Sequence, residues 1–213
     1  MRFAALLLCL ILMAAPLAGA SAEDDPPGLF GTEERRSSRL KNFPKWTDLL
    51  ERHYNGDAAE GTDCGGDSTC AEKYSSKWHG FLDSIRDKDP MEQLRAVNQH
   101  SNRSPYIEDT INWGVQDYWE TVLQFLIKHG DCEDYAISKY FSLKELGFSP
   151  DDMRIVVLKD NNLNVMHAVL AVYAGQTIYI LDNQIPSVVE HTSIHHYTPI
   201  FSINEHSWWL HQE

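Results

Sequence analysis

Apolar residues recur every three to four positions through the first part of the chain, which is the spacing of amphipathic helices. The pattern begins near Trp46 and Leu49, returns over residues 90–100, and continues on both sides of Gly130. The predicted apolar faces of these later helices comprise Met91, Leu94 and Val97, then Val122, Phe125 and Leu126, then Ala136, Tyr140, Phe141 and Leu143. Gly130 closes the second of these helices as a C′ residue would. The last is predicted from Asp131 to about residue 146.

The period changes to two after Pro150, as expected for β-strands. Three strands are predicted, at 153–159, 165–173 and 177–182, and residues 161–162 form the first turn. Helices followed by an antiparallel β-meander make an α+β fold.

Residues 1–22 have the parts of a secretory signal peptide. Arg2 supplies the positive charge, residues 3–13 the apolar stretch, and Ala20-Ser21-Ala22 an A-x-A cleavage site. The apolar stretch is too short to span a bilayer comfortably. The mature chain is therefore predicted to be exported without membrane insertion.

Residues 23–44 are polar and include the charged run Glu33-Glu34-Arg35-Arg36. This composition predicts a flexible N-terminal arm. No internal repeat or second domain follows, so residues 45–213 are predicted to form a single domain. That length is sufficient for a sizeable hydrophobic core.

The formal net charge of the chain is −13 at pH 7. Such an acidic chain is a poor binder of nucleic acid or of anionic membrane by charge. The balance suits calcium or a basic partner, although solubility alone also explains it.

Four cysteines occur, and Cys9 lies in the predicted signal peptide. Cys64 and Cys70 flank a short flexible loop, which predicts either a disulfide in an oxidising compartment or a small metal loop. Cys132 is then left unpaired. An unpaired thiol in an exported protein is explained by catalysis or by burial in the core.

Cys132 stands at a predicted helix start, where the helix dipole favours a thiolate. Asp131, Glu133 and Asp134 oppose this, because nearby carboxylates raise the pKa of a thiol. As helix caps they would satisfy free N–H groups, and as ligands they would hold a hard cation such as calcium. Their spacing favours caps, whereas the conflict with the thiolate favours calcium.

His167 and Asp182 lie on two successive predicted strands. A two-residue hairpin loop at 175–176 pairs Ala174 with Thr177 and places His167 and Asp182 as diagonal neighbours on one face. The carboxylate would then orient the imidazole, which would activate the thiol. A three-residue loop would separate the pair.

Several segments resemble the bacterial transglutaminase-like cysteine proteinases, the periplasmic LapG-type proteases, over roughly Trp78 to Trp209. The resemblance is carried by Trp113-Gly114, Asp117-Tyr118-Trp119, Gly130-Asp131-Cys132-Glu133-Asp134-Tyr135-Ala136-Ile137, Lys139-Tyr140-Phe141, His167-Ala168-Val169-Leu170 and Leu181-Asp182-Asn183.

This resemblance implies a papain/transglutaminase-like core, with the cysteine at a helix start packed on the β-meander. It implies a catalytic triad of Cys132, His167 and Asp182, and calcium held by Asp131 and Glu133, with Asp134 as a further candidate ligand. An oxyanion hole would use the Cys132 N–H with Trp119 or Gln116.

The function implied by the resemblance is that of a calcium-dependent periplasmic cysteine endopeptidase. Its substrate would be a large cell-surface adhesin, cut near the N-terminus at a dialanine site. Its partner would be the periplasmic domain of an inner-membrane cyclic-di-GMP receptor, and the consequence would be control of biofilm attachment and dispersal. A transglutaminase-type acyl transferase and a non-catalytic periplasmic binding module are the alternatives.

Overall fold

The structure, a computed structural model, describes residues 28–64 and 67–212. The predicted signal peptide, residues 1–22, lies outside the described residues. Within the described ranges, no helix is long and apolar enough to cross a membrane.

Six α-helices lie in the described part of the chain: α1 Pro44–Asn55, α2 Ser68–Ile85, α3 Pro90–Ser101, α4 Asp109–Asn112, α5 Val122–Lys128 and α6 Cys132–Glu145. Four of them, α1, α3, α5 and α6, match the predicted helical segments. The helix α2 was not predicted, although Trp78, Leu82 and Ile85 follow helical spacing and are buried. It begins where the Asp67 side chain accepts a hydrogen bond from the Thr69 N–H, 2.9 Å away.

One antiparallel sheet of seven strands is present among these residues: β1 Glu33–Ser37, β2 Met153–Asp160, β3 Val165–Ala174, β4 Thr177–Leu181, β5 Val189–Glu190, β6 Tyr197–Ile203 and β7 Trp208–Gln212. The strand order is β1-β7-β6-β2-β3-β4-β5. The meander β2-β3-β4 was predicted and the other four strands were not. The α+β fold class is confirmed.

Both faces of the central strands are buried, because a separate apolar cluster covers each face. On one face, Leu170 and Val172 of β3 pack with residues of the helices, including Tyr140 of α6. On the other face, Val169 and Ala171 pack with Leu29 and residues that follow β4. A strand that is buried on both sides is expected to have a continuous apolar sequence, and residues 168–172 are all apolar.

The flexible arm predicted for residues 23–44 is wrong for residues 28–44, which are part of the fold. Leu29 is fully buried, and β1 pairs with β7 over its whole length. Glu34 of β1 makes an ion pair with Arg154 at 2.6 Å. The charges that indicated disorder belong to an edge strand, where charged side chains are common. Residues 23–27 lie outside the described ranges.

Candidate active site

Cys132 is the first residue of α6 and is a free thiol. Cys64 and Cys70 are joined in a disulfide, so the disulfide interpretation of that pair is confirmed over the metal loop. The helix therefore presents an unpaired thiol at its N-terminus, as the sequence predicted.

The turn before Cys132 brings the backbone very close to a side chain of α6. Gly130 follows α5 as expected, but the positive φ lies at His129, with a φ of 63° and a ψ of −174°. A Cβ atom on Gly130 would overlap the carboxylate of Asp134. Glycine is needed here for this close approach and not for a positive φ.

Asp134 is fully buried and caps the start of α6. Its Oδ2 accepts a hydrogen bond from the Asp131 N–H at 3.1 Å, and its Oδ1 accepts one from the Glu120 N–H at 2.8 Å. The cap interpretation therefore fits Asp134, because both of its oxygens satisfy backbone donors. It also ties α6 to the segment that precedes α5.

His167 and Asp182 are in direct contact, as the hairpin geometry predicted. Ala174 pairs with Thr177, and the Nε2 atom of His167 lies 2.9 Å from Oδ1 of Asp182. Both side chains are buried. Because Nε2 is engaged by the carboxylate, Nδ1 is the ring nitrogen available for a proton exchange, and the Gln184 side-chain nitrogen lies 3.5 Å from it.

Asp182 accepts two further hydrogen bonds. The Gln184 N–H donates to Oδ1 at 2.8 Å, and the Tyr197 hydroxyl donates to Oδ2 at 2.7 Å. Burial alone would raise the pKa of Asp182, but the hydrogen bonds from His167, Gln184 and Tyr197 outweigh it and lower this pKa. Asp182 is therefore an anion held in one orientation beside the imidazole.

Cys132 and His167 line the same cleft, whose volume is about 450 Å³. Gln116 and Trp119 also line it, and the Trp119 side chain packs edge-to-face on Trp46 in the core. Gln116 is exposed in the cleft, whereas Trp119 is buried. The chain therefore places a thiol, an imidazole and an exposed side-chain amide around one cavity.

The thiol of Cys132 donates a hydrogen bond to Oε2 of Glu133 at 3.2 Å. Burial and the negative charges of Glu133 and Asp131 raise the pKa of this thiol, while the Ala168 N–H acts in the opposite direction. Without a counter-charge, the site therefore favours the thiol over the thiolate.

Carboxylates from three segments of the chain meet beside the thiol. Ligand atoms of Asp109, Asp117 and Glu133 lie within 4.8 Å of one another, and the same is true of Asp109, Asp131 and Asp134. Asp109 begins α4, and Asp117 lies in the loop between α4 and α5. These five residues are called the acidic cluster below.

The acidic cluster has the properties of a site for a hard cation. The Oδ1 atoms of Asp109 and Asp131 are buried and accept no hydrogen bond from any described residue. Burial, with the hydrogen bond and charge of Asp131, raises the pKa of Glu133 to about 9. Burial likewise raises the pKa of Asp109 to about 6, with Asp131 and Asp117 adding to the effect. Clustered carboxylate oxygens are the ligands that calcium prefers, so the donor set fits this ion.

The sequence did not identify three residues of the site. Asp109 joins the acidic cluster from the start of α4, Asp117 joins it from the loop before α5, and Tyr197 reaches Asp182 from β6. Asp117 belongs to Asp117-Tyr118-Trp119, one of the segments that carry the family resemblance, so the sequence did contain a signal for this residue. Asp109 and Tyr197 had no local signal, because only packing between distant segments places them here.

Comparison with known proteins gives a consistent result. The family model described as bacterial transglutaminase-like cysteine proteinase BTLCP matches residues 67–212. A structure of Legionella pneumophila LapG is 32% identical, with a TM-score of 0.60, and the match covers 66% of this chain and 79% of that chain. The calcium-bound LapG structure is 32% identical at a TM-score of 0.60, with coverage of 67% and 82%. The EGTA-treated LapG structure is 32% identical at a TM-score of 0.61, with coverage of 67% and 78%. No curated protein matches the chain.

Proposed function

Because the chain belongs to the bacterial transglutaminase-like cysteine proteinases and is a cysteine protease, we propose that it is a calcium-dependent periplasmic endopeptidase. Its proposed substrate is a large cell-surface adhesin, cut near its N-terminus at a dialanine site. The observation that carries the catalytic assignment is the 2.9 Å contact of the buried Asp182 with His167, which lines the same cleft as Cys132.

In the proposed reaction, the Cys132 sulfur attacks the carbonyl carbon of the scissile peptide bond. His167 takes the thiol proton and passes it to the amine that leaves, so the carbon–nitrogen bond breaks and an acyl-enzyme forms. Water then hydrolyses the thioester, with His167 as the general base. Asp182 holds the imidazole in the tautomer and orientation that these proton transfers need.

The oxyanion of the tetrahedral intermediate needs hydrogen-bond donors. The Cys132 backbone N–H is one candidate, since the first N–H groups of a helix have no partner within the helix. Gln116 is the better second candidate, because its side chain is exposed in the cleft while Trp119 is buried. Of the two second donors predicted from the sequence, Trp119 and Gln116, we therefore propose Gln116.

Calcium dependence is proposed from the acidic cluster and from the existence of calcium-bound and EGTA-treated LapG structures. Asp131 and Glu133, with Asp109 and Asp117, would hold the ion. When bound, calcium would supply positive charge that offsets the repulsion between these carboxylates and a thiolate. Asp134 contributes chiefly as the cap of α6.

The cellular setting is proposed from the family and from the signal peptide predicted at residues 1–22. Export would bring the protease to the periplasm, where the periplasmic domain of an inner-membrane cyclic-di-GMP receptor would sequester it. Release from the receptor would allow adhesin cleavage and so biofilm dispersal. Family membership supports this setting.

The deciding experiment uses the mature chain and the N-terminal fragment of a large adhesin that contains a dialanine site and comes from the same organism. The two are incubated with calcium or with a chelator, and Cys132→Ala serves as the matched control. We expect a cut at the dialanine, read from product masses, that needs both calcium and Cys132.

Cross-linked products instead of fragments would support an acyl transferase. No product from a folded, calcium-loaded chain would contradict the adhesin proposal. Slow reaction of Cys132 with a thiol reagent would then favour a binding module.

A further inference from the structure

A second concave surface lies outside the catalytic cleft, between α3 and the loop that follows Asp182. It has a volume of about 890 Å³. Lys88, Arg95 and Arg103 line one side of it, and Asn183 with residues 186–188 lines the opposite side. This surface is called the basic groove below.

The basic groove carries a local positive charge on a chain whose net charge is −13. Its three cationic side chains belong to exposed residues, and within the described ranges none makes an ion pair with a carboxylate. Glu92 is the one acidic residue among those that line it. The groove is therefore complementary to an anionic ligand, whereas the acidic cluster in the catalytic cleft is not.

The spacing of the cations matches an extended peptide. Arg95 and Gln99 lie one turn apart on α3, and Arg103 lies two residues beyond its end. The chain stays coiled there, because the Arg103 N–H donates to the His100 carbonyl at 3.3 Å. At about 1.5 Å per residue, the backbones of the two arginines are separated by roughly 12 Å. In an extended chain at about 3.3 Å per residue, roughly four residues cover this distance, and side chains four residues apart point to the same side.

The basic groove is joined to the catalytic site through the loop that forms its wall. The Asn102 side chain donates to the Asp182 carbonyl at 2.7 Å, and the Asn98 side chain donates to the Pro186 carbonyl at 3.0 Å. The Gln184 N–H of the same loop donates to the Asp182 carboxylate. One side of the loop thus holds Asp182, while the other side faces the groove.

The helical side of the groove also leads to the cleft. Arg103 lines the groove, and Tyr106, three residues later, lines the cleft. Three residues span at most about 11 Å, so one extended peptide can reach both surfaces.

We propose that the basic groove is an exosite that binds an acidic, extended segment of the protein substrate while the scissile bond occupies the cleft. The segment carries two carboxylate side chains about four residues apart. This proposal rests on the proposed protease function. It identifies a feature of the substrate that the catalytic residues do not recognise.

The test measures binding separately from cleavage. A fluorescein-labelled peptide with two Glu residues four positions apart, in a Ser/Ala background, is titrated with the full mature chain carrying Cys132→Ala. The same peptide with Gln in place of Glu is the ligand control. Fluorescence anisotropy at constant calcium and low salt gives both dissociation constants.

We expect the Glu peptide to bind at least about tenfold more tightly than the Gln peptide, with the difference shrinking as salt is added. Arg95→Glu with Arg103→Glu should abolish the difference. Arg35→Glu with Arg39→Glu, which reverses two exposed charges near β1, should preserve it. Arg95→Gln with Arg103→Gln keeps the test valid if the charge reversal disturbs folding.

Equal binding of the Glu and Gln peptides would overturn the exosite. So would an equal loss of the preference for the Glu peptide in the Arg35→Glu, Arg39→Glu control. Cleavage of the adhesin fragment is assayed in parallel with the active chain. Selective binding of the Glu peptide without cleavage of the adhesin fragment would support the exosite and contradict the proposed adhesin substrate. Cleavage of the adhesin fragment without selective binding of the Glu peptide would support the substrate and overturn the exosite.

Discussion

Asp182 shows how much of the site depends on one side chain. It accepts hydrogen bonds from His167, Gln184 and Tyr197, and together these lower its pKa despite its burial. A carboxylate with three donors has little freedom to rotate. Its expected role is therefore to fix the orientation and tautomer of His167.

Asp182→Asn should reduce kcat by at least about 10²-fold with a small change in KM, because an amide favours the wrong tautomer of the imidazole. Tyr197→Phe should reduce kcat less, by roughly tenfold, since two donors to the carboxylate remain. Steady-state kinetics on the adhesin fragment measures both. Equal, small effects of the two substitutions would show that Asp182 does not orient His167.

Lys139 is a second residue whose surroundings are unusual. Its side chain lies on α6, is fully buried, and its Nζ atom has no hydrogen-bond partner among the described residues. Burial lowers the pKa of Lys139 to about 7, although the negative charge of Asp182 acts in the opposite direction. A buried amine without a hydrogen-bond partner destabilises the folded state.

Lys139→Met should therefore increase the free energy of unfolding near pH 7 by roughly 1–3 kcal/mol. From about pH 7 towards pH 10, the folded wild type binds fewer protons at this position than the unfolded chain, so its stability should rise with pH relative to the variant. The difference in free energy of unfolding between the two proteins changes by at most about 1.4 kcal/mol per pH unit, and it levels off below pH 7.

Urea unfolding from pH 6 to 9 measures this difference, with the exposed Lys73→Met as the control. A pH-independent difference would contradict the assignment.

At the scale of elements, the loop after α1 supports the wall of the cleft. The Thr121 hydroxyl donates to the Ala58 carbonyl, and the Gln124 side chain donates to the Glu60 carbonyl at 2.6 Å. Gly61 has a φ of 70° and lies so close to the Trp113 ring that a Cβ there would overlap it. The Cys64–Cys70 disulfide closes the end of this loop.

Cys64→Ala with Cys70→Ala should lower the free energy of unfolding by about 2 kcal/mol, because a short cross-linked ring restricts the unfolded chain. It should also reduce kcat/KM several-fold, since the loop contacts the segment that carries Gln116 and Asp117. Denaturant unfolding and kinetics test both effects. A reductant should reproduce them in the wild type and leave the double variant unchanged. A reductant effect of equal size in both proteins would place the cause outside this disulfide.

At the scale of the whole molecule, the acidic cluster joins segments that are distant along the chain. Asp109 and Asp117 come from the α4 region, and Asp131 and Glu133 from the start of α6. A cation bound there would link these segments only when the chain is folded. Calcium is therefore expected to stabilise the fold as well as to support catalysis.

Calcium at about 100 times its dissociation constant should raise the melting temperature by roughly 5–10 °C, and a chelator should reverse the rise. Asp131→Asn and Asp109→Asn should each remove most of this increase, because each takes a charged ligand from the cluster. Asp87→Asn, an exposed acid elsewhere, is the control. Thermal unfolding followed by circular dichroism measures the shift. A calcium effect that survives both cluster substitutions would place the ion at another site.

The sequence alone determined the features that depend on local periodicity and register. The change from helical to alternating spacing predicted the α+β layout and placed Cys132 at the start of a helix. Two-residue loop geometry predicted that His167 and Asp182 meet, since strand parity follows from counting along a hairpin. Membership in the cysteine proteinase family also followed from short sequence segments.

Only the tertiary structure decided which distant residues complete these features. Composition predicted a flexible arm at residues 23–44, yet β1 within it pairs with β7 from the far end of the chain. Asp109, Tyr197 and the basic groove acquire their positions from packing between helices, loops and strands. No local period encodes such contacts, because they depend on how whole elements are arranged in space.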